Sequence, residues 1–254
     1  MRDFLIQTRK GLWMFLMFGL FAFGIFLDLF FIVPFIRLTR KTRGPVMVRM
    51  QYANGRLFAG WLHCMGWGGL LKSLPNKGAP MDGPCVVVAN HPGLFDAVRL
   101  MRDVPGLSVL VKRLLVKQLP LGPIVRSAGY VLAPPAGEGG SIESLQDSIE
   151  AIRNGSKFLI FPEGTRSPVH ELLPFKAGAF KIAQKAGVPI QPVLIRNEPP
   201  FLPKQEHWYD LPLVLSTVEL EFWDPIPPPE KDDVRRVAKE LERRYREALG
   251  LGER

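Results

Sequence analysis

Cysteine is nearly absent from this chain, since its 254 residues include only Cys64 and Cys85. Two cysteines cannot build a disulfide framework or the paired motifs of a structural zinc site. Cys85 lies in the apolar run 85–89, which favours a place in the core over a role as a nucleophile. The sequence also has no internal repeat, low-complexity tract or nucleic-acid motif with interleaved aromatic residues. It therefore predicts a globular core without a cysteine-based metal or redox site.

Acidic residues are outnumbered, because 33 Lys and Arg stand against 24 Asp and Glu, giving a net charge of +9. Such an excess indicates an anionic partner, either a nucleic acid or a membrane surface. Its placement favours a membrane, because basic residues follow directly on the most apolar segment. These residues are Arg37, Arg40, Lys41, Arg43 and Arg49. We expect membrane lipids as partners and no nucleic acid.

The apolar segment, residues 11–36, contains eight phenylalanines and a single charged residue, Asp28. A hydrocarbon core about 30 Å thick needs about 20 helical residues, so the segment is long enough to span a bilayer. Asp28 would be costly in lipid, and Gly19, Gly24 and Pro34 are typical of a bent helix. An in-plane hairpin is therefore an alternative to a span, and a buried hairpin of an ordinary core is a third.

These features predict two parts, a hydrophobic membrane anchor with basic flanks over 1–45 and a larger domain over 46–254. By the positive-inside tendency, the basic residues after the anchor place the larger domain on the cytoplasmic face, at the inner membrane if the cell is bacterial. Arg2, Arg9 and Lys10 precede the anchor and weaken this asymmetry. Positive charge at both ends suits an in-plane anchor.

Beyond residue 46, extended and helical patterns alternate, which predicts an α/β fold with helices on the faces of a sheet. A helical region is expected over 46–74, and an amphipathic C-terminal helix from Val234 to Leu249 packs on the domain. Between them, strands are predicted at 85–90, 107–111, 128–133, 158–161, 189–195 and 214–222, and helices at 96–102, 142–154 and 176–186.

The run Asn90-His91-Pro92-Gly93-Leu94-Phe95-Asp96 follows the predicted strand 85–90. Pro92 and Gly93 break that strand, so His91 is expected at its carboxyl end, where open α/β sheets place their chemistry. With Asp96 in the first turn of the next helix, its carboxylate can hold one imidazole nitrogen while the other takes a proton from an alcohol. The alternative is that His91 caps a helix and Asp96 pairs with Arg99 or Arg102.

A second run, Phe161-Pro162-Glu163-Gly164-Thr165-Arg166-Ser167, follows the short apolar strand 157–161. Gly164 lets the backbone approach a ligand closely, and the Arg166 guanidinium is a planar fork suited to phosphate oxygens. The alternative is a surface turn with a Glu–Arg pair.

Together, these two runs resemble the boxes of the glycerol-phosphate and lysophospholipid acyltransferase family, and residues 188–193, Val-Pro-Ile-Gln-Pro-Val, resemble a third family element. The resemblance covers roughly residues 37–227. It implies a single mixed, largely parallel sheet flanked by helices, with residues 46–254 as the acyltransferase domain. It also implies that His91 is the general base and that Asp96 orients it. Binding of the acceptor's phosphate falls to Glu163, Gly164, Thr165 and Arg166.

One family element departs from the pattern. A lysine between the two boxes matches Lys112, but Ala133 stands where the family has a basic residue at the end of a strand. Lys112, Arg113 or Lys117 can supply the missing phosphate ligand, or the acceptor is not lysophosphatidate.

The resemblance implies a membrane O-acyltransferase that moves a fatty acyl group from an acyl thioester to the hydroxyl of a lysophospholipid. The acceptor it implies before any other is 1-acyl-sn-glycerol-3-phosphate. The thioester of coenzyme A or of acyl carrier protein is expected as co-substrate, with no other cofactor and no metal. Two rivals stay open, the same chemistry on another lysolipid or an amino-acid lipid, and a lipid-binding module without catalysis.

Overall fold

A seven-stranded sheet forms the centre of the computed structural model, in the strand order β1-β7-β6-β2-β5-β3-β4. The structure describes residues 1–38, 43–111, 116, 122–133, 142–204, 206, 207 and 209–252. All neighbouring strands run parallel except β6 and β7, which are antiparallel. The strands are β1 (Leu71–Ser73), β2 (Val86–Ala89), β3 (Leu107–Val111), β4 (Val131–Leu132), β5 (Lys157–Ile160), β6 (Ile190–Glu198) and β7 (Ser216–Phe222).

Helices cover both faces of this sheet. They are α1 (Arg2–Leu27), which continues through a π-helical turn (Asp28–Ile32) into α2 (Val33–Leu38), then α3 (Arg43–Trp67), α4 (Asp96–Asp103), α5 (Gly122–Ser127), α6 (Ile142–Arg153), α7 (Gly178–Ala186) and α8 (Val234–Ala248). The expected mixed, largely parallel sheet flanked by helices is confirmed.

Strand β2 occupies the middle of the sheet, between β6 and β5. All four of its residues are buried, as expected for a strand covered on both faces. Val86 and Val88 face a layer built by α7 and α8, while Val87 and Ala89 face the layer that contains α3. Because Val88 pairs with Ile160, β2 and β5 end at the same level, and the loops that follow them meet at the carboxyl edge.

Helix α1 packs lengthwise against the domain. The Trp13 indole donates a hydrogen bond to Cys64 O at 3.0 Å, and Trp61 donates to Met17 O at 2.8 Å. Met14 and Met17 are buried in the same cluster as strand residues of the sheet. One side of α1 is thus part of the core.

The opposite side of α1 exposes large apolar residues, among them Leu12, Phe15, Phe23 and Phe26. The continuous helix Arg2–Phe35 is the one described helix that is long and apolar enough to cross a membrane. Asp28 is buried at the π-helical turn, where the Asn54 amide, oriented to donate, lies 2.9 Å from Asp28 Oδ2. This carboxylate therefore faces protein rather than the exposed apolar side.

Two details of the predicted organisation change. The helix expected over 46–74 ends at Trp67, and Leu71–Ser73 form β1, which pairs with β7. The prediction was wrong there because a three-residue edge strand has no recognisable period of its own. The predicted boundary between residues 45 and 46 lies inside α3. Arg40, Lys41, Lys112, Arg113 and Lys117 lie outside the described residues.

Candidate active site

His91 and Asp96 form a hydrogen-bonded pair at the carboxyl end of β2. Nδ1 of His91 lies 2.9 Å from Oδ2 of Asp96, and the Gly93 N–H donates to the same oxygen at 2.7 Å. Asp96 is the first residue of α4, where the helix dipole favours a carboxylate. The imidazole is 17% exposed and the carboxylate 1%. The second ring nitrogen, Nε2, can thus be reached from outside while its orienting acid is shielded.

The turn that carries His91 is fixed from both sides. The Asn90 side chain exchanges two hydrogen bonds with the backbone of Ile195 on β6, at 2.7 and 2.9 Å. The His91 ring stacks on Phe161, with centroids 4.0 Å apart and planes 13° from parallel. Stacking limits rotation of the imidazole, so the Asp96 contact and the aromatic face together set its direction.

Glu163 and Ser167 close a ring of hydrogen bonds around the backbone of His91. The His91 N–H donates to Glu163 Oε1 at 2.8 Å, the Ser167 hydroxyl donates to Glu163 Oε2, and the Ser167 N–H donates to His91 O at 2.8 Å. The Leu173 N–H adds a bond to Oε2 at 3.0 Å. Glu163 and Ser167 are both buried. This ring ties the loop after β5 to the loop after β2.

Burial dominates the electrostatics of both carboxylates. It raises the pKa of Glu163 to about 7, although the N–H groups of Leu173 and His91 oppose the shift. Burial also raises the pKa of Asp96, against hydrogen bonds from His91 and Gly93 and the positive charge of Arg166. The Arg166 charge therefore acts on the carboxylate that orients His91.

Arg166 is tethered to a third loop. Its Nη1 donates to Leu202 O at 2.7 Å and to Pro203 O at 3.2 Å, while the side chain stays partly exposed. The alternative of a Glu163–Arg166 surface pair is wrong, because the Glu163 carboxylate accepts hydrogen bonds from the His91 N–H and the Ser167 hydroxyl instead. Arg166 stands beside the His91–Asp96 pair, and backbone carbonyls set the position of its guanidinium.

Gly164 is exposed at the tip of the same loop, with φ of +76° that favours glycine. A Cβ at this position would lie 2.6 Å from Lys176 Nζ, so the Lys176 ammonium lies directly over Gly164. The Lys176 N–H donates to Pro162 O at 2.9 Å, which fixes its backbone. Thr165 is partly exposed. A second cation thus lies close to the residues predicted to bind phosphate.

The alternative partners of Asp96 are engaged elsewhere. Arg99 and Arg102 both pair with Asp103, the latter at 2.8 Å. Burial raises the pKa of Cys85 to about 12, so its thiol stays protonated and unreactive at neutral pH. Among the described residues, no group of three or more His, Cys, Asp or Glu is arranged to hold a metal ion.

Comparison with known sequences bears on this arrangement. The sequence model of the Acyltransferase family matches residues 72–196, which contain both loops of the site. The chain is 33% identical over 146 residues to human 1-acyl-sn-glycerol-3-phosphate acyltransferase beta, covering 57% of this chain and 51% of that protein. It is 37% identical over 119 residues to the Saccharomyces cerevisiae 1-acyl-sn-glycerol-3-phosphate acyltransferase, covering 45% of this chain and 39% of that protein.

Residues 72–196 of this chain belong to this acyltransferase family.

Among solved structures, the 1-acyl-sn-glycerophosphate (LPA) acyltransferase PlsC from Thermotoga maritima superposes with a TM-score of 0.67 at 24% identity, over 100% of this chain and 98% of that one. This likeness shows the fold. The chain spans about half the length, or less, of the curated relatives it matches.

The site contains residues that sequence reasoning missed. The N–H of Ser167 and the carbonyls of Leu202 and Pro203 make contacts of the backbone, which leave no mark in the local pattern. Lys176 lies ten residues after Arg166 and has no spacing that points to Gly164. Lys112, predicted to bind substrate, lies outside the described residues, and the roles of Glu163, Gly164, Thr165 and Arg166 stay predictions.

Proposed function

We propose that this protein is a membrane-associated O-acyltransferase that moves a fatty acyl group from an acyl thioester to the free hydroxyl of a lysophospholipid. The proposed acceptor is 1-acyl-sn-glycerol-3-phosphate, and the product is phosphatidic acid. The observation that carries the proposal is the 2.9 Å contact between His91 and Asp96 with the Arg166 charge beside it. The relatives named 1-acyl-sn-glycerol-3-phosphate acyltransferase support the choice of acceptor.

In the proposed reaction His91 is the general base. Its Nε2 takes the proton of the acceptor hydroxyl while that oxygen attacks the thioester carbonyl carbon. Asp96 stabilises the imidazolium through Nδ1. When the tetrahedral intermediate collapses, the C–S bond breaks and the imidazolium returns the proton to the leaving thiolate. Direct transfer needs no acyl-enzyme, which agrees with the protonated, buried Cys85.

Cations at the second loop hold the acceptor's phosphate in this proposal. Arg166 offers the N–H groups that do not bond Leu202 and Pro203, while Gly164 gives a close approach to the backbone. Lys176 adds a second positive charge, and Thr165 a hydroxyl. Glu163 takes part indirectly, since its carboxylate bonds to the His91 backbone.

The donor is proposed to be a thioester of coenzyme A or acyl carrier protein, with no metal and no other cofactor. A base and a polarised thioester carbonyl supply the chemistry that acyl transfer needs. Dialysis against a chelator tests this point, and a loss of turnover restored by a divalent ion would contradict it.

The anchor is proposed to lie in the membrane plane rather than to span the bilayer. The buried side of α1 and of the π-helical turn after it contacts the domain from Gln7, bonded to Leu211 O at 3.0 Å, to Asp28, whose carboxylate lies 2.9 Å from the Asn54 amide. A helix attached to a polar domain over that length cannot also cross the hydrocarbon core. The exposed phenylalanines on its other side then enter one leaflet. We expect the cytoplasmic face, where acyl thioesters occur, and the inner membrane if the cell is bacterial.

A thiol-release assay tests the reaction. Purified protein with acyl-CoA and 1-acyl-sn-glycerol-3-phosphate is expected to release free thiol and form phosphatidic acid. His91→Ala is expected to remove nearly all turnover while the protein stays folded, because the backbone of residue 91 is still held by Glu163 and Ser167. His63→Ala, an exposed histidine on α3, is the matched control. Full activity of His91→Ala would end the assignment of the base.

A second candidate keeps the chemistry and changes the acceptor to another lysolipid or an amino-acid lipid. Ala133 at the end of β4 favours it, because the family has a basic residue there. A panel of acceptors with one acyl donor separates the two. Equal turnover of lysophosphatidate and a lysolipid without an exposed phosphate monoester would favour the second candidate. A protein that turns over none of them would be the non-catalytic lipid-binding module, which the His91–Asp96 geometry disfavours.

A further inference from the structure

The long connection between β6 and β7 attaches to α1 through a buried lysine. Lys10 is 3% exposed, and its ammonium donates to Pro212 O at 2.6 Å and to Val214 O at 2.9 Å. Leu211 is buried, and its carbonyl accepts from Gln7. Three successive contacts thus hold residues 211–214 alongside the first turns of α1.

The same stretch points apolar side chains outward. Leu213 is 47% exposed, Val214 62% and Tyr209 55%, and Leu215 is also exposed. Phe4 lies one turn before Gln7 on α1 and is exposed too, so the apolar surface continues from the loop onto the helix. We refer to Tyr209, Leu213, Val214 and Leu215 as the loop patch.

At its other end this connection reaches the site. Phe201 O accepts the Leu94 N–H at 3.3 Å, and the carbonyls of Leu202 and Pro203 bind Arg166. Leu202 is buried with φ of +52°, a backbone conformation that a leucine keeps only when its surroundings fix it. The connection therefore runs from an exposed apolar surface to the guanidinium proposed to bind the acceptor's phosphate.

We infer that the loop patch is a second membrane-contact surface, which enters the same leaflet as the exposed side of α1. The inference rests on the proposed in-plane anchor. The patch has too few side chains to form a stable interface with a second copy, since such interfaces bury about 800 Å² per partner. The loop patch instead continues the exposed apolar surface of α1, and a single bilayer can contact both. Lipid contact would then lie one loop away from the acceptor site, where a membrane-borne substrate must enter.

Vesicle flotation of the full chain tests the inference, with vesicles of phosphatidylethanolamine and phosphatidylglycerol. Leu213→Ser with Val214→Ser is expected to weaken vesicle binding about tenfold, because two aliphatic side chains lose their burial in lipid. Val169→Ser is the matched control, since Val169 is an exposed aliphatic residue in the loop after β5 and lines a cavity together with Leu249. Val214→Phe is expected to bind more tightly with an unchanged melting temperature, which shows that the gain comes from the folded protein.

A third variant separates this inference from the proposed membrane association. Phe15→Ser with Phe23→Ser, on the exposed side of α1, should weaken binding whether or not the loop patch contacts lipid. If this variant loses binding while both loop variants bind like the unaltered protein, the inference is overturned and the anchor stands. If neither set of variants changes binding, the anchor proposal fails, and the inference that rests on it fails with it. A loop variant that changes the sedimentation mass in detergent, with vesicle binding unchanged, would make the patch a contact between copies and would also overturn the inference.

Discussion

At the scale of single residues, the site depends on a carboxylate that is buried while its partner is reachable. Asp96 is 1% exposed and bonds to both His91 and the Gly93 N–H. A charge that is removed from water interacts strongly with the imidazolium that forms in the proposed proton transfer. The carboxylate thus favours the tautomer in which Nδ1 carries the proton, which leaves Nε2 for the proposed role as base.

Replacing Asp96 by Asn tests this division of roles. Asp96→Asn keeps the size of the side chain but no longer stabilises the imidazolium, so kcat should fall by about 10³- to 10⁴-fold. KM for the acceptor should change little, because the phosphate ligands are untouched. Steady-state kinetics of thiol release measures both constants, with Asp82→Asn in the exposed turn before β2 as control. A fall of less than tenfold in kcat would contradict the assigned role.

Glu163 predicts a pH dependence of stability. Burial raises the pKa of Glu163 to about 7 from its ordinary value of 4.5, so the folded state binds the proton more tightly than the unfolded state does. Its contribution to stability is therefore complete below about pH 4.5 and is lost as the pH rises through 7. Glu163→Gln does not titrate. The free energy of unfolding of the unaltered protein relative to Glu163→Gln should fall by up to about 3 kcal/mol between pH 4.5 and 8.

Urea unfolding at several pH values measures that difference. Glu171→Gln, an exposed carboxylate in the same loop, is the control and should give a nearly flat difference. A relative stability of Glu163→Gln that falls with pH would reverse the sign of the linkage and exclude a raised pKa.

At the scale of elements, the sequence predicted what repeats along the chain and missed what depends on distant partners. The apolar run of β2 and the break at Pro92–Gly93 were enough to place His91 at a sheet edge, and the register of Val88 with Ile160 confirms that both loops share it. Strand β1 was missed because its definition depends on pairing with β7, more than 140 residues away. The ring of Glu163 and Ser167 was missed because its partners are backbone groups of another loop.

The contact between α1 and the β6–β7 connection makes its own prediction. Lys10→Met keeps an apolar stem but leaves the carbonyls of Pro212 and Val214 without their donor. Part-buried carbonyls that lose their donor cost at most about 1–3 kcal/mol each before relaxation, so the loop should detach locally. Amide hydrogen exchange at residues 211–215 should speed up several-fold, while exchange in β2 and β5 stays unchanged. Arg9→Met, an exposed neighbour, is the control, and equal exchange in both variants would show that the lysine does not hold the loop.

At the scale of the whole molecule, positive charge and an exposed apolar surface occur in one chain. The net charge is +9, and Arg2 and Arg9 are exposed on the same helix as the outward-facing phenylalanines. Basic residues near a membrane gain about 1 kcal/mol each from anionic lipid, and salt screens this attraction over about 10 Å at 0.1 M. Apolar insertion is far less sensitive to salt.

The two contributions can be separated by varying lipid and salt together. Binding to vesicles should strengthen as phosphatidylglycerol replaces phosphatidylcholine, and it should weaken as salt rises from about 0.05 to 0.5 M, because screening acts on the charges alone. Phe15→Ser with Phe23→Ser should bind more weakly at every salt concentration but keep the same dependence on salt, whereas Arg2→Gln with Arg9→Gln should reduce that dependence. Binding that depends on neither phosphatidylglycerol nor salt would show that the excess positive charge does not contact lipid. A surface of this charge near an anionic bilayer is attracted to it, and that attraction depends on both.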